Sequence, residues 1–98
     1  MVGVFMVEDF VQDDWDITDS NSRKVLAALS EFEKGVAVDV DMLHKKTGLM
    51  PRGLNDAVRH LSTAKLIVNL HPSKKSGPYD FYAVEITDFG RQVLKKFG

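Results

Sequence analysis

Val38-Asp39-Val40-Asp41-Met42-Leu43-His44-Lys45-Lys46-Thr47-Gly48-Leu49-Met50-Pro51-Arg52-Gly53-Leu54-Asn55-Asp56-Ala57-Val58-Arg59-His60-Leu61 is the stretch on which the architecture turns. Asp39 stands where an N-cap belongs, Val40 and Leu43 share a face, and Gly48 follows Lys46-Thr47. That pattern predicts a helix of about two turns closed by a glycine C-cap. Leu49-Met50 makes a turn. Pro51 then suits the first position of the next helix, where its missing N–H is not needed. Leu54, Val58, Leu61 and Lys65 line one stripe with Ala57 beside it. The expectation is a helix over 51–64, roughly 20 Å long.

Working outward, Asp16-Ile17-Thr18-Asp19-Ser20 is a cluster of helix N-cap residues. Val25, Leu26, Leu29 and Phe32 then recur every three or four residues, so a helix is expected over 20–34, ended by Gly35. Residues 36–38 read as a short extended piece. Further upstream, Val4, Phe5, Val7, Phe10, Val11 and Trp15 stand among five acids. The spacing 4, 7, 11 suits an amphipathic helix, whereas residues 2–7 alone suit a strand, and both readings stay open. Downstream the period changes. Residues 66–71 and 79–86 are β-branched and aromatic runs joined by Pro72-Ser73-Lys74-Lys75-Ser76-Gly77-Pro78, which predicts an antiparallel hairpin with a long basic tip. Thr87 is placed to cap a final helix with Phe89, Val93, Leu94 and Phe97 inward. Arg91, Lys95 and Lys96 are expected outward or near its C-terminal end, where cations are favoured.

The expected order is helix, short strand, helix, tight turn, helix, hairpin, helix, with no internal repeat. That is a mainly α protein with a small β hairpin: an α+β winged helix-turn-helix with a three-helix core, a wing and a C-terminal helix. Residues 1–18 form an apolar and acidic extension and residues 19–98 the domain. The segment from Val38 to Leu49 resembles the second helix of MarR- and ArsR-like winged-helix regulators. The segment from Pro51 to Val68 resembles their recognition helix running into the first wing strand, with Lys65 where a glycine is common. Val84-Glu85-Ile86-Thr87-Asp88-Phe89-Gly90 is similar to the "LT..G" that closes the wing and opens the last helix. The likeness covers about residues 19–97. The leading expectation is then a sequence-specific DNA-binding regulator, more often a repressor, and the likeness says little about which operator or signal is involved.

Charge is distributed unevenly along the chain. Residues 1–43 carry ten acids against three bases, a net −7, whereas residues 44–76 carry seven bases against the single acid Asp56, a net +6. Local field rather than the overall −1 governs attraction to phosphates. With Leu54 at the centre of the buried stripe, 100° per residue sets Arg52, Asp56, Arg59 and Thr63 nearly opposite, with Asn55 at the flank. Arg52, Asn55, Asp56 and Arg59 are the candidates for base contact: arginine chelates guanine, asparagine pairs with adenine, aspartate accepts from cytosine. Asp56 is equally placed to pair with Arg52 or Arg59 along the helix. Lys45, Lys46, Thr63, Ser73, Lys74, Lys75 and Ser76 are the candidates for the DNA backbone or the wing contact. About six cations on phosphates correspond to a salt slope near −5. Phe5, Phe10 and Trp15 either fold back onto their own domain or pack with Phe89, Val93 and Phe97 against a second copy; the second is the preferred expectation, with two recognition helices about 34 Å apart.

Ninety-eight residues, 44% hydrophobic and 28% charged, fit one soluble globular domain. No apolar run nears the ~20 residues of a membrane helix. The apolar start lacks a basic leader and a cleavage site, so a cytoplasmic location is expected. Cysteine is absent, which excludes disulfides, thiolate catalysis and cysteine-rich zinc sites. His44, His60 and His71 lie far apart, and no phosphate loop or nucleophile motif stands out. The expectation is no metal, no cofactor, no enzyme activity and no small-molecule effector. Two other readings are a winged-helix protein-interaction module of transcription or replication machinery and a non-specific architectural DNA binder.

Overall fold

The computed structural model describes residues 12–98. These residues form an α+β globule of five helices and one three-stranded antiparallel sheet. The elements run α1 (Gln12–Asp16), α2 (Ser20–Ser30), β1 (Val38–Asp39), α3 (Val40–Thr47), α4 (Pro51–Thr63), β2 (Ile67–Asn69), β3 (Ala83–Ile86) and α5 (Asp88–Phe97). The helix-or-strand question at the start of the chain, and the placement of Phe5 and Phe10, lie outside the described residues.

The expected caps form. Asp19 and Asp39, both in extended backbone, accept from the N–H groups of Ser22 and Met42 and so open α2 and α3. Each satisfies a donor that the first helical turn leaves unpaired. Gly48 closes α3 in the left-handed region, at φ +72°, with its N–H on the His44 carbonyl. Pro51 opens α4 at its first turn, and Leu54, Ala57, Val58 and Leu61 bury one stripe. That stripe meets α2, whose Val25, Leu26 and Leu29 are also buried, in the most extensive helix contact of the fold. Leu54, Leu61, Leu26 and Val25 have no exposed surface, and together with Leu43, Leu66 and Val84 they make the core. Full burial of such a side chain contributes about 1.5–3 kcal/mol.

Helix α4 ends without glycine. The Leu66 N–H reaches the Leu61 carbonyl and the Lys65 N–H reaches that of Ser62, the two bonds of a Schellman motif. Lys65 occupies its left-handed position at φ +68°. The Thr87 hydroxyl sits within hydrogen-bond distance of the Lys65 and Leu66 carbonyls, and so braces that turn.

The sheet departs from the expected hairpin in two ways. Its order is β1-β3-β2, so the short extended piece after α2 joins as an edge strand, with Val38 opposite Val84. The hairpin ladder covers only Ile67–Asn69 against Ala83–Ile86, leaving a connection over 70–82 rather than 72–78. The physical reason lies in the loop itself. Pro72 and Pro78 supply no ladder N–H, and the return limb at 78–80 bonds to helix α4 instead of to its sister strand. A tight turn closes the loop tip, with Gly77 at φ +68° and the Tyr79 N–H on the Ser76 carbonyl.

Helix α5 docks closely. Thr87 caps it by accepting from the Gly90 N–H, and a Cβ at Gly90 would fall 2.2 Å from the Leu66 carbonyl oxygen. Only glycine fits this approach. Arg91 is not outward as expected. Its guanidinium is half-buried and donates to the Ser30 and Phe32 carbonyls at 3.2 and 2.8 Å, where the C-terminal end of α2 needs donors and favours positive charge. Arg23 similarly donates to the Trp15 carbonyl and lies over the indole, 4.6 Å from the ring centroid. Each of these arginines keeps a buried Nε with no hydrogen-bond partner among the described residues.

Candidate nucleic-acid interface

Helices α3 and α4 meet through a turn fastened by two side chains and a glycine. His44 Nδ1 lies 2.8 Å from the Leu49 carbonyl, a contact that requires the proton on Nδ1. The Thr47 hydroxyl donates to the Leu43 carbonyl and accepts from the Leu49 N–H. Gly48 supplies the left-handed residue between them. The angle of α4 relative to α3 is therefore set by short-range bonds.

On the outer face of α4, Arg52, Asp56, Arg59 and Thr63 are exposed, as the 100° spacing requires, while Leu54 and Val58 are buried. Arg59 pairs with Asp56 at 3.2 Å, both side chains well exposed. Such a pair is worth about 0–1 kcal/mol and opens readily to a stronger partner. Thr63 turns its hydroxyl back onto the Arg59 carbonyl.

Asn55 is placed differently from a free base reader. Its amide Nδ2 donates to the Pro78 carbonyl at 3.2 Å and its Oδ1 accepts from the Asp80 N–H at 2.8 Å. Both ends of the amide are occupied by the loop, so pairing with adenine would require breaking two bonds. A groove of about 270 Å³ runs beside this tie, floored by Val58 and Phe81 and edged by Arg59, Ser62, Asn69 and Asp80. A second, shallower hollow of about 460 Å³ on the other flank is edged by Asp19, Asp56, Arg59, His60 and Thr63. In it, the Ser22 hydroxyl bonded to Asp19 holds that carboxyl below its ordinary range, against opposing desolvation. The Ser22 N–H and nearby His60 add to the lowering.

Among the basic candidates, Lys46 is committed elsewhere. It pairs with Glu31 and lies 5.5 Å from the Phe32 ring centroid, at the end of α2. Lys45, Lys74 and Lys75 are exposed, as is Ser73, and Ser76 is half-buried at the loop turn. Lys74 Nζ stands 5.1 Å from the Tyr82 ring centroid, and His71 meets the same ring edge-on at 5.4 Å. His71, Lys74 and Tyr82 share no local sequence pattern that announces this small aromatic-cation cluster.

The residues expected at a dimer contact mostly complete the domain's own core. Val93 has no exposed surface, so it has none to offer a second copy. Trp15 is buried and stacks on Phe97 with centroids 6.4 Å apart, while Phe89 and Phe97 are half-buried against the core. The physical reason is that α5 and residues 12–18 fold back onto α2. Nearby, Ile17 remains 76% exposed.

Among the described residues no group of three or more His, Asp or Glu is placed to hold a metal ion, and no helix is long and apolar enough to cross a membrane. No family model, curated protein or solved structure matches the chain.

Proposed function

We propose that the protein is a winged helix-turn-helix DNA-binding protein that places the outer face of α4 in the major groove and its basic loop over 70–82 on the backbone. The single observation that carries this reading is the division of α4. One stripe is wholly committed to the core, and the opposite face offers Arg52 and Arg59 to solvent from a helix about 20 Å long. Supporting it are the order helix, strand, helix, turn, helix, strand, loop, strand, the sheet order β1-β3-β2, and the bonds from Asn55 that hold the loop beside α4. Arg52, in the first turn, and Arg59, released from Asp56, are the base readers; Asp56 accepts from a cytosine amine or orients an arginine. Lys45, Lys74 and Lys75 neutralise phosphates, whereas Lys46 serves Glu31.

Two copies would read half-sites about 34 Å apart, joined through Ile17 and the exposed parts of Phe89 and Phe97. The regulator reading, repressor more often than activator, a cytoplasmic location and the absence of cofactor or catalysis belong to the same proposal. Titration of random duplex DNA across salt tests it. Three cations on phosphates give a slope of log K against log salt of about −2.7, shallower than the −5 expected for six. No binding at ~50 mM salt would overturn the reading.

A second reading rests on a specific feature. Val68, Leu70 and Tyr82 are 43%, 37% and 41% exposed on the edge strand and loop, a surface suited to protein contact. A protein-interaction module would use that edge and leave duplex DNA unbound.

A further inference from the structure

Asn55 mimics a strand edge. Its side-chain amide donates to the carbonyl of residue 78 and accepts from the N–H of residue 80, the same i and i+2 groups that a neighbouring strand would engage. The partners are well chosen for this. Pro78 has no N–H of its own, so its carbonyl is the polar group it can offer, and Asp80 follows at the point where the chain turns inward to bury Phe81. The other hydrogen bonds of residues 71–79 described for this structure run within the loop itself, as from Lys74 N–H to the His71 carbonyl and from Tyr79 N–H to that of Ser76, or from His71 N–H back to the Asn69 side chain. The two bonds from Asn55 reach across to α4. A loop of this length bears a conformational cost that two directed bonds offset.

We infer that Asn55 is a positioning residue: it fixes the basic loop against the flank of α4 and thereby sets whether Lys74 and Lys75 reach the phosphates of a bound duplex. This rests on the DNA reading above and changes the role of one candidate within it, because Asn55 then contributes to affinity and salt dependence rather than to base preference. Arg52 and Arg59 carry the preference. Asn55 carries the geometry.

The test pairs a measurement on the free protein with one on DNA. Amide hydrogen exchange is followed for wild type, Asn55→Ala and Asn55→Asp, with Val58 and Leu61 as internal controls for an intact α4. The Asp80 amide should exchange about 10-fold faster or more in Asn55→Ala. Asn55→Asp should fall between, since its carboxylate still accepts from Asp80 but cannot donate to Pro78. On random duplex DNA, Asn55→Ala should show a salt slope shallower by about 1.8, matching the Lys74→Ala/Lys75→Ala double variant, and the triple variant should be no shallower still. Base preference in a selected pool should be unchanged. Unaltered Asp80 exchange would overturn the inference, as would a normal slope with relaxed preference at one base pair, the signature of a base reader. A wild-type protein that ignores duplex DNA overturns the functional reading and the loop's part in it. Exchange at Asp80 then still decides whether Asn55 holds the loop.

Discussion

Arg23 and Arg91 turn their guanidinium groups into the protein, whereas Arg52 and Arg59 turn theirs toward solvent. The inward pair answers structural needs: Arg91 supplies donors to the end of α2, and Arg23 joins Trp15 to the same helix. The outward pair answers none that the fold requires, since Arg59 has only an exposed partner and Arg52 stands on the solvent face. The same residue type thus marks two regions with different tasks, one holding the domain together and one available to a ligand. Substitutions should separate them, because loss of stability belongs to the first region and loss of binding to the second.

The sharpest break in the inward region is Gly90→Ala. The added methyl must displace α5 from the Leu66 carbonyl, pulling Arg91 away from α2, and should cost about 3 kcal/mol in chemical denaturation. Arg91→Ala removes both donors to α2 and should cost about 2 kcal/mol, while Arg91→Lys recovers less than half because an ammonium cannot span two carbonyls as a planar fork does. Arg23→Ala, which loses a carbonyl contact and a cation–π contact, should cost about 1 kcal/mol. An Arg91→Ala protein of wild-type stability would erase the distinction.

Capping gives the next effects. Asp19→Ala should cost about 1 kcal/mol at neutral pH. Since the native carboxyl titrates below its ordinary range, its contribution is complete above roughly pH 4 and is lost as pH falls through the lowered native value. The gap between variant and wild type should therefore narrow in acid. Lys65→Gly, at φ +68°, should stabilise by about 1 kcal/mol by relieving a left-handed side chain. Smallest in stability are Arg52→Ala and Arg59→Ala, each within about 0.5 kcal/mol by denaturation. In the proposed function each weakens binding to a selected duplex by about 1–3 kcal/mol, more than to random duplex.

Local signals in the sequence were strong where the physics is local. Asp39, Gly48, Pro51, Thr87 and the apolar stripe of α4 each specify a cap, a turn or a face within a few residues, and the structure has them in place. The long-range partners were not legible. Nothing near Arg91 in the chain announces Ser30 and Phe32, and nothing near Asn55 announces Pro78. A half-buried arginine reads as a surface cation until its distant carbonyls are known. The observed hairpin ladder is shorter than the expected one for the same reason, because periodicity shows strand-forming residues but not that a helix side chain captures one limb. At the site, the outward face of α4 was legible, as was the inward turn of Val93, whereas the commitment of Lys46 to Glu31 was not.

The central claim is that α4 and the loop form one duplex-facing surface. Amide shift mapping of the protein with a random duplex of about 20 base pairs at ~50 mM salt tests it most directly. Shifts should concentrate at Arg52, Asp56, Arg59 and residues 73–76, and should fade as salt rises. Shifts confined to α5 and residues 12–18, or no shifts at all, would contradict it.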